Sequence, residues 1–364
     1  MKLPITSLVE SLPASIPFVG PEAIERGTGQ IFRARIGANE SAFGISPHAL
    51  QAMQAELLRT SWYADPEGYE LKSAIAARFD VEMDEICLGA GVDELLGLVV
   101  RMAVEPGVSV VTSLGAYPTF NYHVDGFGGT LHKVPYRNDH IDLDAVAAAA
   151  HEHSAALVYF ANPDNPMGTW HDANAIRGFM AALPESCLLV LDEAYVEFAP
   201  DDVQMAMDTR DPRIIRMRTF SKAHGMAGAR VGFAIAAKPV ISSFNKVRNH
   251  FGMNRVAMAG ALASFNDECF VRDVVTKVEQ GRREYAQLAD SLGLSSLESS
   301  TNFVAIDVGG GQRARALLKA LQDRGIFVRM PGVAPLDRCI RVSVGLPEER
   351  AVFAQSFADA LKTV

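Results

Sequence analysis

The sequence predicts an α/β protein with a mostly parallel, seven-stranded sheet, in which one strand is antiparallel, and a small α+β domain at the C-terminus. From about residue 86 to residue 236, short apolar runs alternate with amphipathic or alanine-rich stretches, which is typical of βα units. Several runs are too apolar to alternate, as expected of strands covered on both faces. The length of 364 residues corresponds to about two domains, at roughly 150 residues per domain.

Seven apolar runs are the candidate strands of the large sheet: Ile86–Leu88, Val108–Thr112, Thr130–Val134, Ala155–Phe160, Cys187–Leu191, Ile214–Thr219 and Val231–Ala236. Helical candidates lie between most of them. The last run follows the sixth after only about a dozen residues, which is short for a parallel crossover that contains a helix. We therefore expect the last strand to be antiparallel.

The remaining elements follow from capping and periodicity. Ser46-Pro47 predicts the start of a helix that runs to Leu58, with serine as the cap and proline in the first turn. Tyr69–Phe79 predicts a second helix, and the stretch from Lys238 to about Leu292 is largely helical in pattern. The C-terminal unit is expected to read strand, helix, strand, strand and helix: Thr301–Val308, Gln312–Arg324, Ile326–Arg329, Cys339–Val344 and Glu348–Leu361.

Composition restricts the classes of partner. The chain has 34 basic and 43 acidic residues, giving a net charge of −9, with 49% hydrophobic and 21% charged residues, which is ordinary globular composition. An acidic chain lacks the basic footprint of a protein whose main partner is nucleic acid or an anionic membrane. Small molecules are the expected partners.

A metal site is not expected. Cys87, Cys187, Cys269 and Cys339 are at least 70 positions apart, so they form no Cys-x-x-Cys pair, and we interpret them as reduced core thiols. His151 and His153 are two positions apart, which places them on different faces of a helix.

The sequence also predicts a cytoplasmic protein. Met1–Phe18 contains Glu10 and several prolines where a signal peptide would need an unbroken apolar stretch. No apolar run approaches the roughly 18 residues of a membrane span.

Residues that follow the predicted strands are the candidates for chemistry, because ligands of open α/β sheets bind beyond the carboxyl ends of the strands. Gly89–Glu94 follows the first strand and precedes a helix, so this turn is either a phosphate cradle or only a turn. Asp192 follows the run Leu188–Leu191. A carboxylate there is either in a structural ion pair or answers a cationic ligand.

Lys222 follows the strand Ile214–Thr219 and is surrounded by small residues, with Arg230 shortly after it. By itself Lys222 could be a solvated surface lysine, but its coincidence with Asp192 and the Gly91 turn favours a functional role. In the loop Asn162–Gly168, two X-Pro steps and a glycine exclude a helix, and Asn165 can present an amide to a ligand. A turn without any chemical role would have much the same sequence.

Together these parts describe a site for an aromatic, phosphorylated cofactor that has a cationic ring nitrogen and a carbonyl reactive toward lysine. Pyridoxal 5′-phosphate meets that description.

With these residues the sequence resembles the fold-type I pyridoxal-phosphate aminotransferases of class I/II, and within them the histidinol-phosphate aminotransferase group. The resemblance runs from Ala38-Asn39-Glu40 to Cys339–Gly345. Its most specific element is Thr219–Lys222 with Gly228-Ala229-Arg230, supported by Asn162–Gly168 and Asp192–Tyr195. It implies the PLP-dependent transferase fold, with an N-terminal segment at residues 1–45 on the substrate side, a large cofactor domain at 46–290 and a small domain at 291–364.

The resemblance implies roles for the cofactor-side residues. Lys222 would attach the cofactor and later move a proton between substrate and cofactor. Asp192 would pair with the ring nitrogen, while Asn165 and Tyr195 would hydrogen-bond the ring hydroxyl. Tyr117 would stack on the ring. The phosphate would be bound at the Gly91 turn by the backbone of Val92 and Asp93 and by the side chains of Ser221 and Arg230.

Other residues are implied on the substrate and partner sides. Tyr63 would reach the phosphate of the neighbouring subunit's cofactor, which predicts a homodimer with shared sites; the alternative is an aromatic side chain that only packs at a loop. Arg341 corresponds to the family's substrate-anion arginine and Arg329 to a second arginine for a substrate phosphate, although either could be a surface arginine. Asn39 and Glu40 would line the substrate side.

Three departures from the family pattern are expected on the substrate side. Ser41-Ala42 replaces the usual Asn-Pro after Asn39-Glu40, Met167 replaces a threonine, and Met330-Pro331-Gly332 follows Arg329. They leave the cofactor prediction intact and leave the substrate open.

The resemblance therefore implies a biosynthetic transaminase that moves an amino group from an L-amino donor, expected to be glutamate, to a phosphorylated or carboxylated acceptor of the histidinol-phosphate or imidazole acetol phosphate type. Two alternatives keep the cofactor: a phosphothreonine-type decarboxylase and an aromatic amino acid aminotransferase. A third is a transcription regulator, which is disfavoured because fewer than 40 residues precede Asn39 and they show no helix-turn-helix pattern.

Overall fold

The computed structural model describes residues 4–14 and 19–364. An N-terminal part contains two helices and one short strand: α1 (Ser7–Ser11), α2 (Pro21–Thr28) and β1 (Ala34–Arg35). The expectations for Met1–Phe18 concern in part residues 1–3 and 15–18, which lie outside the described residues.

Seven strands form the large sheet, and each lies within two residues of a predicted run: β2 (Ile86–Gly89), β3 (Ser109–Ser113), β4 (Thr130–Val134), β5 (Leu157–Ala161), β6 (Leu188–Asp192), β7 (Ile214–Thr219) and β8 (Gly232–Ile235). Their order across the sheet is β2-β8-β7-β6-β5-β3-β4. β8 pairs antiparallel with both of its neighbours, and the other pairs are parallel. The predicted antiparallel strand is thus confirmed.

The helices of this part are α3 (Pro47–Leu57), α4 (Tyr69–Phe79), α5 (Val92–Ala103), α6 (Pro118–Gly126), α7 (Leu143–Glu152), α8 (Ala173–Ala182), α9 (Lys238–Val247) and α10 (Arg255–Asn266). Ser46 caps α3 as expected, since its hydroxyl accepts hydrogen bonds from the amides of His48 and Ala49. The helix predicted at Tyr69–Phe79 has the same bounds in the structure.

Helices cover both faces of the sheet, which explains why its central strands are apolar on both sides. In β3, Val110 packs among Leu95, Phe120 and Phe244. The next residue, Val111, packs on the opposite face in a second apolar cluster with side chains of α7 and α8. Successive side chains of a strand point to opposite faces, so each face has its own core.

The C-terminal part has three helices and four short strands: α11 (Glu268–Ser291), β9 (Ser295–Ser296), β10 (Phe303–Asp307), α12 (Gly311–Asp323), β11 (Ile326–Phe327), β12 (Cys339–Ser343) and α13 (Pro347–Leu361). β10 lies between β12 and β9 in an antiparallel sheet. Val274 and Tyr285 of α11 share one apolar cluster with Phe303 and Phe353, so α11 packs with this part of the chain.

The strand expected at Ile326–Arg329 is shorter than predicted and has a different partner. Only Ile326 and Phe327 are regular, and they pair in parallel with Ala34 and Arg35 of β1. The Ile36 carbonyl accepts a hydrogen bond of 2.8 Å from the Ser343 amide. The N-terminal part is thereby joined to the C-terminal part, directly before Asn39.

One expectation about cysteine is wrong, because Cys269 at the start of α11 is exposed, whereas Cys87, Cys187 and Cys339 are buried thiols. Within residues 4–14 and 19–364, no group of three or more metal-binding side chains occurs. No helix of the described chain has an apolar stretch long enough to cross a bilayer.

Candidate active site

A cavity of about 640 Å³ lies where the carboxyl ends of the large-sheet strands meet the C-terminal part. Its lining contains most of the predicted site residues: Asn39, Glu40, Val92, Asp93, Tyr117, Asn165, Asp192, Tyr195, Ser221, Lys222, Arg230, Arg329 and Arg341. Residues from both ends of the sequence therefore converge on one site, as the strand-end argument predicts.

Asp192 is a buried carboxylate at the end of β6, with 5% of its surface exposed. Its Oδ2 accepts a 2.8 Å hydrogen bond from the Tyr159 hydroxyl, and its Oδ1 accepts one of 3.0 Å from the Ala194 amide. Burial raises the pKa of Asp192 to about 6, against the effect of these two donors. No basic side chain of the described residues forms an ion pair with Asp192, so a structural ion pair does not explain it.

Lys222 lies three residues beyond β7, and its side chain reaches the loop at Asn39. Its Nζ donates a 3.0 Å hydrogen bond to the Asn39 carbonyl and lies 5.5 Å from the centre of the Tyr195 ring. The Asn39 amide group donates to the Tyr195 hydroxyl at 3.0 Å. Asn39 has a left-handed backbone conformation (φ 54°) and is held by the Ser343 hydroxyl. This hydroxyl accepts a hydrogen bond from the backbone N–H of Asn39 and donates one to its side-chain oxygen.

An anion cradle is formed where β2 meets α5. Gly91, at φ 82°, precedes the helix and contributes no side chain to cap its first N–H groups. A Cβ atom at Gly91 would lie 2.3 Å from Nη2 of Arg230, so a side chain there would displace the guanidinium, and the positive φ also favours glycine. The Arg230 guanidinium also contacts Asp93 at 3.3 Å and Ser221 at 3.4 Å. Free helix N–H groups beside a cation suit a phosphate.

Arg341, on β12, faces the loop after β5. Its Nη1 donates a 2.6 Å hydrogen bond to Oδ1 of Asn165, and its Nη2 donates to the Gly37 carbonyl at 3.3 Å. Its Nε is buried with no hydrogen-bond partner. Burial lowers the pKa of Arg341 to about 10. A buried cation held only by neutral oxygens can bind an anion strongly.

Arg329 lies beside Arg341, because the two residues exchange backbone hydrogen bonds of 2.7 and 3.2 Å. The Arg329 guanidinium donates to the Val19 carbonyl at 3.0 Å. Tyr117 also lines the cavity, where burial raises the pKa of its hydroxyl and the neighbouring Asp93 carboxylate adds to that effect. The lining thus contains two adjacent arginines and an aromatic ring.

Tyr63 does not line this cavity. Its side chain is 77% exposed, and its ring packs against Phe251 with 4.7 Å between the ring centres. Within one chain, Tyr63 therefore has no access to the site.

Met167 corrects an expectation about the substrate side. It is fully buried in a small apolar cluster with Ala305, Leu336 and Cys339, and it does not line the cavity. Replacement of a threonine at this position therefore changes the packing behind the site. Met330, Pro331 and Gly332 do line the cavity, as expected.

Three contributors were not predicted from the sequence. Tyr159 lies within an apolar strand, where its phenol could not be distinguished from a core side chain. Lys133 lines the cavity from β4, but a lone lysine in a strand gives no signal. Asn302, whose amide group donates to the carbonyls of Asn39 and Glu40 at 3.0 and 3.2 Å, follows no motif that names its partner.

These residues fit pyridoxal 5′-phosphate. The buried Asp192 carboxylate, which lacks a cationic partner among the described residues, suits a protonated ring nitrogen. The uncapped start of α5 with Arg230 and Ser221 suits the phosphate, and Lys222 lies on the same cavity wall.

Comparison with known proteins identifies the family. The family model for aminotransferase class I and II matches residues 35–357. Histidinol-phosphate aminotransferase 2 of Pseudomonas aeruginosa is 35% identical over 342 residues, which cover 93% of this chain and 92% of that protein. The protein of the same name from Carboxydothermus hydrogenoformans is 33% identical over 356 residues, covering 96% and 97%.

A crystal structure of histidinol-phosphate aminotransferase from Sinorhizobium meliloti, in complex with pyridoxal 5′-phosphate, is 46% identical to this chain. It superposes with a TM-score of 0.97 and covers 100% of this chain and 99% of that one. The resemblance found in the sequence, the fold and the cofactor are thereby confirmed. The chain belongs to the class I and II aminotransferases, a family of enzymes that use pyridoxal 5′-phosphate.

Proposed function

We propose that this aminotransferase transfers an amino group from glutamate to imidazole acetol phosphate, the ketone that becomes histidinol phosphate when it gains the amino group. The observation that carries the proposal is the pair of adjacent arginines, Arg341 and Arg329, on one wall of the cavity. Glutamate presents carboxylates and the acceptor presents a phosphate, so both substrates need a cation there. The names of the relatives at 33–46% identity support the same substrate.

The cofactor-side residues have the following roles in this proposal. When bound, pyridoxal 5′-phosphate supplies an electron-poor ring that stabilises negative charge at the substrate carbon. Asp192 would keep a proton on the ring nitrogen, and Asn165 and Tyr195 would hydrogen-bond the ring hydroxyl. Tyr117 would pack against the ring. The amides of Val92 and Asp93 and the side chains of Ser221 and Arg230 would hold the phosphate.

Lys222 is the catalytic base. As a neutral amine its Nζ takes a proton from the substrate carbon and returns it on the cofactor side. Tyr195 supports this step because its ring lies beside Nζ. Its hydroxyl accepts a hydrogen bond from the Asn39 side chain, and the backbone carbonyl of Asn39 accepts the hydrogen bond from Nζ. Asn39 and Glu40 close the substrate side.

The basic lining of the cavity favours a phosphorylated acceptor. Lys133 lines the cavity from β4. Lys133, Arg329 and Arg341 give the cavity three cations in addition to Lys222 and Arg230. We expect the phosphate of the acceptor substrate to lie among these three, because a dianion interacts more strongly than a carboxylate with several cations.

We also propose a homodimer with shared sites. Large apolar side chains are exposed from the end of α3 to the start of α4, and also at Phe251. They are Leu57, Leu58, Trp62, Tyr63, Tyr69 and Phe251. An exposed apolar group of this size indicates an interface. Contact with a second copy would explain why Tyr63 lies outside its own cavity. A location in the cytoplasm remains a prediction from the sequence.

A two-step absorbance experiment tests the substrate assignment. Glutamate added to the holoenzyme should convert the absorbance of the bound cofactor to that of pyridoxamine 5′-phosphate, and imidazole acetol phosphate should reverse the change. Phenylpyruvate should reverse it more slowly; a faster reversal would favour an aromatic amino acid aminotransferase. Carbon dioxide release without formation of a keto acid would favour a decarboxylase. Lys222→Ala is the control and should abolish both steps.

A further inference from the structure

Asp164 is a buried carboxylate that the proposed mechanism does not use. It lies in the loop after β5 with 3% of its surface exposed. Its Oδ1 accepts a 2.8 Å hydrogen bond from the Tyr136 hydroxyl, and its Oδ2 accepts one of 3.0 Å from the Met167 amide. The Tyr136 hydroxyl in turn accepts a hydrogen bond of 3.4 Å from Ser113.

The backbone of Asp164 also closes this loop. Its amide donates to the Thr169 carbonyl at 2.8 Å, and its carbonyl accepts from the Gly168 amide at 3.1 Å. Four hydrogen bonds therefore hold Asp164 in place, and Asn165 is the next residue of the same loop.

Asn165 connects the loop to the anion-binding arginine. Its Oδ1 accepts the 2.6 Å hydrogen bond from Nη1 of Arg341, and among the described residues it is the only side chain that forms a hydrogen bond with that guanidinium. Neither Asp164 nor Tyr136 lines the cavity, so neither can touch a substrate held in it. Asn165 provides the hydrogen-bonded connection from these two residues to Arg341, and the charges of Asp164 and Arg341 also interact directly.

The charged and titratable groups that face Asp164 are few. Burial raises the pKa of Asp164 to about 7, and the Met167 amide, the Tyr136 hydroxyl and the Arg341 charge oppose the rise. Tyr159 lies near enough for the Asp164 charge to raise the pKa of its phenol slightly. A carboxyl group that is costly to bury, with no cation bonded to it, is poorly explained as a stabilising element.

We propose that Asp164 and Tyr136 form a positioning pair that orients Arg341 through Asn165 and thereby sets the affinity for the anionic group of both substrates. The inference rests on the proposed function in one respect, namely that Arg341 binds the substrate anion. It adds two residues that lie behind the cavity wall and that no motif identifies.

A double-mutant cycle on the holoenzyme tests this pair. The probe is glutarate, a dicarboxylate without an amino group, and the dissociation constant is measured by calorimetry. Tyr136→Phe removes the donor and keeps the ring, so glutarate should bind about fivefold more weakly. Asp164→Asn leaves one acceptor for two donors and should weaken binding about tenfold. The double variant should be no weaker than Asp164→Asn, because both changes break the same hydrogen bond.

Kinetics separate positioning from general damage. In both variants KM for glutamate should rise as the glutarate dissociation constant does, while kcat at saturation and the absorbance of the bound cofactor should stay within about twofold of the wild type. Asp211→Asn is the matched control: Asp211 pairs with Arg213 at 2.7 Å at the far end of β7, and its loss should lower the melting temperature and leave glutarate affinity unchanged.

Arg341→Gln distinguishes failure of the inference from failure of its premise. If this variant binds glutarate as tightly as the wild type, Arg341 is not the anion residue, and both the proposed role and the inference are wrong. If Arg341→Gln weakens binding but Tyr136→Phe and Asp164→Asn do not, only the inference is overturned. Additive losses in the double variant, or a loss of kcat without a change in KM, would also overturn it.

Discussion

Asp192 shows how single donors set the chemistry of a buried group. Burial alone favours the neutral carboxyl, and the Tyr159 hydroxyl and the Ala194 amide favour the carboxylate. The proposed role of Asp192 requires the carboxylate, because only the charged form holds a proton on a ring nitrogen. Tyr159 is therefore a determinant of activity although it does not react.

Tyr159→Phe should lower kcat about tenfold, which corresponds to about 1.4 kcal/mol. Without the phenol the pKa of Asp192 rises above about 6, so less carboxylate is present near neutral pH, and the acid limb of the kcat profile should move to higher pH. Steady-state rates across pH measure both effects. Tyr285→Phe, which removes a 3.1 Å hydrogen bond to the Ser343 carbonyl outside the cavity, should leave the limb in place. An unmoved limb in Tyr159→Phe would contradict this role.

Glu197 is a carboxyl group outside the cavity lining, and its effect should appear in stability. Its Oε2 is buried without a hydrogen-bond partner, and burial raises its pKa to about 7, against the opposing charge of Arg218. Between the ordinary pKa of about 4.3 and this value, the folded chain holds a proton that the unfolded chain has released. Wild-type stability from this group is therefore lost as the pH rises through about 7.

Glu197→Gln removes that loss, because glutamine does not titrate. Relative to the wild type, its free energy of unfolding should increase by about 2 kcal/mol between pH 5 and pH 8. Urea denaturation at several pH values measures the difference, and groups common to both proteins cancel. Glu105→Gln, at an exposed position, should show no such trend. A pH-independent difference for Glu197→Gln would show that Glu197 is hydrated in the folded protein.

At this scale the sequence identifies residues that end strands and fails for residues that act from within them. Asp192 is recognisable because it directly follows an apolar run, and Lys222 because it lies three residues after the end of a predicted strand. Tyr159 is in the middle of such a run, and its phenol is visible only when β5 and β6 are paired. Asp164 stands beside the recognised Asn165, yet its partner Tyr136 is 28 positions away in the sequence.

Among the elements, long apolar strands and capped helices are predictable and short pairings are not. β1 and β11 have two residues each, too few for a periodic signal, and their pairing joins segments nearly 300 positions apart. The same limit explains why Ile326–Arg329 was expected in the C-terminal sheet. These short elements matter because they place Asn39 next to Lys222.

The loop that follows Lys222 packs directly on the loop that follows Glu40. Gly225, at φ 71°, has the Gly44 carbonyl oxygen 1.8 Å from the position that a Cβ atom would occupy. Any side chain there must separate the two loops.

Gly225→Ala should therefore lower the free energy of unfolding by about 3 kcal/mol. The variant that remains folded should also be less active than the wild type, because Lys222 and Asn39 move apart. Thermal unfolding and glutamate-driven absorbance changes at a temperature where the variant is folded measure the two effects. Gly178→Ala, in the helix α8 with open space around the added methyl group, should be slightly stabilising and fully active. Normal activity in folded Gly225→Ala would contradict the coupling between these loops.

For the whole molecule, the net charge of −9 correctly indicated a small-molecule partner and gave no information about the site. Five basic side chains line the cavity of this acidic protein: Lys133, Lys222, Arg230, Arg329 and Arg341. They come from separate elements that meet only in the folded chain, so the net charge does not reveal them. The sequence likewise indicated two parts of the chain, while the packing of α11 with β10 and α13 depends on contacts that only the folded chain makes.

Assembly is the property of the whole molecule that the single chain implies most directly. Leu58 is 92% exposed and Trp62 is 64% exposed, and the neighbouring Tyr63 carries a proposed role in a site that it cannot reach. Both facts have one explanation if this surface contacts a second copy.

Leu58→Glu places a charge in that contact and should convert the enzyme from dimer to monomer, since burying an unpaired carboxylate at an interface is strongly unfavourable. Sedimentation velocity should then give a mass near 39.3 kDa in place of twice that value. Ile31→Glu, at a 78% exposed position elsewhere, is the matched control and should remain dimeric.

Subunit exchange tests whether the sites are shared: Lys222→Ala and Tyr63→Ala should each be inactive or weak alone. In a mixed dimer, the site that keeps Lys222 receives an intact Tyr63 from the other subunit, so mixing should restore activity. A dimer that gains no activity on exchange would leave the interface in place and remove Tyr63 from the site.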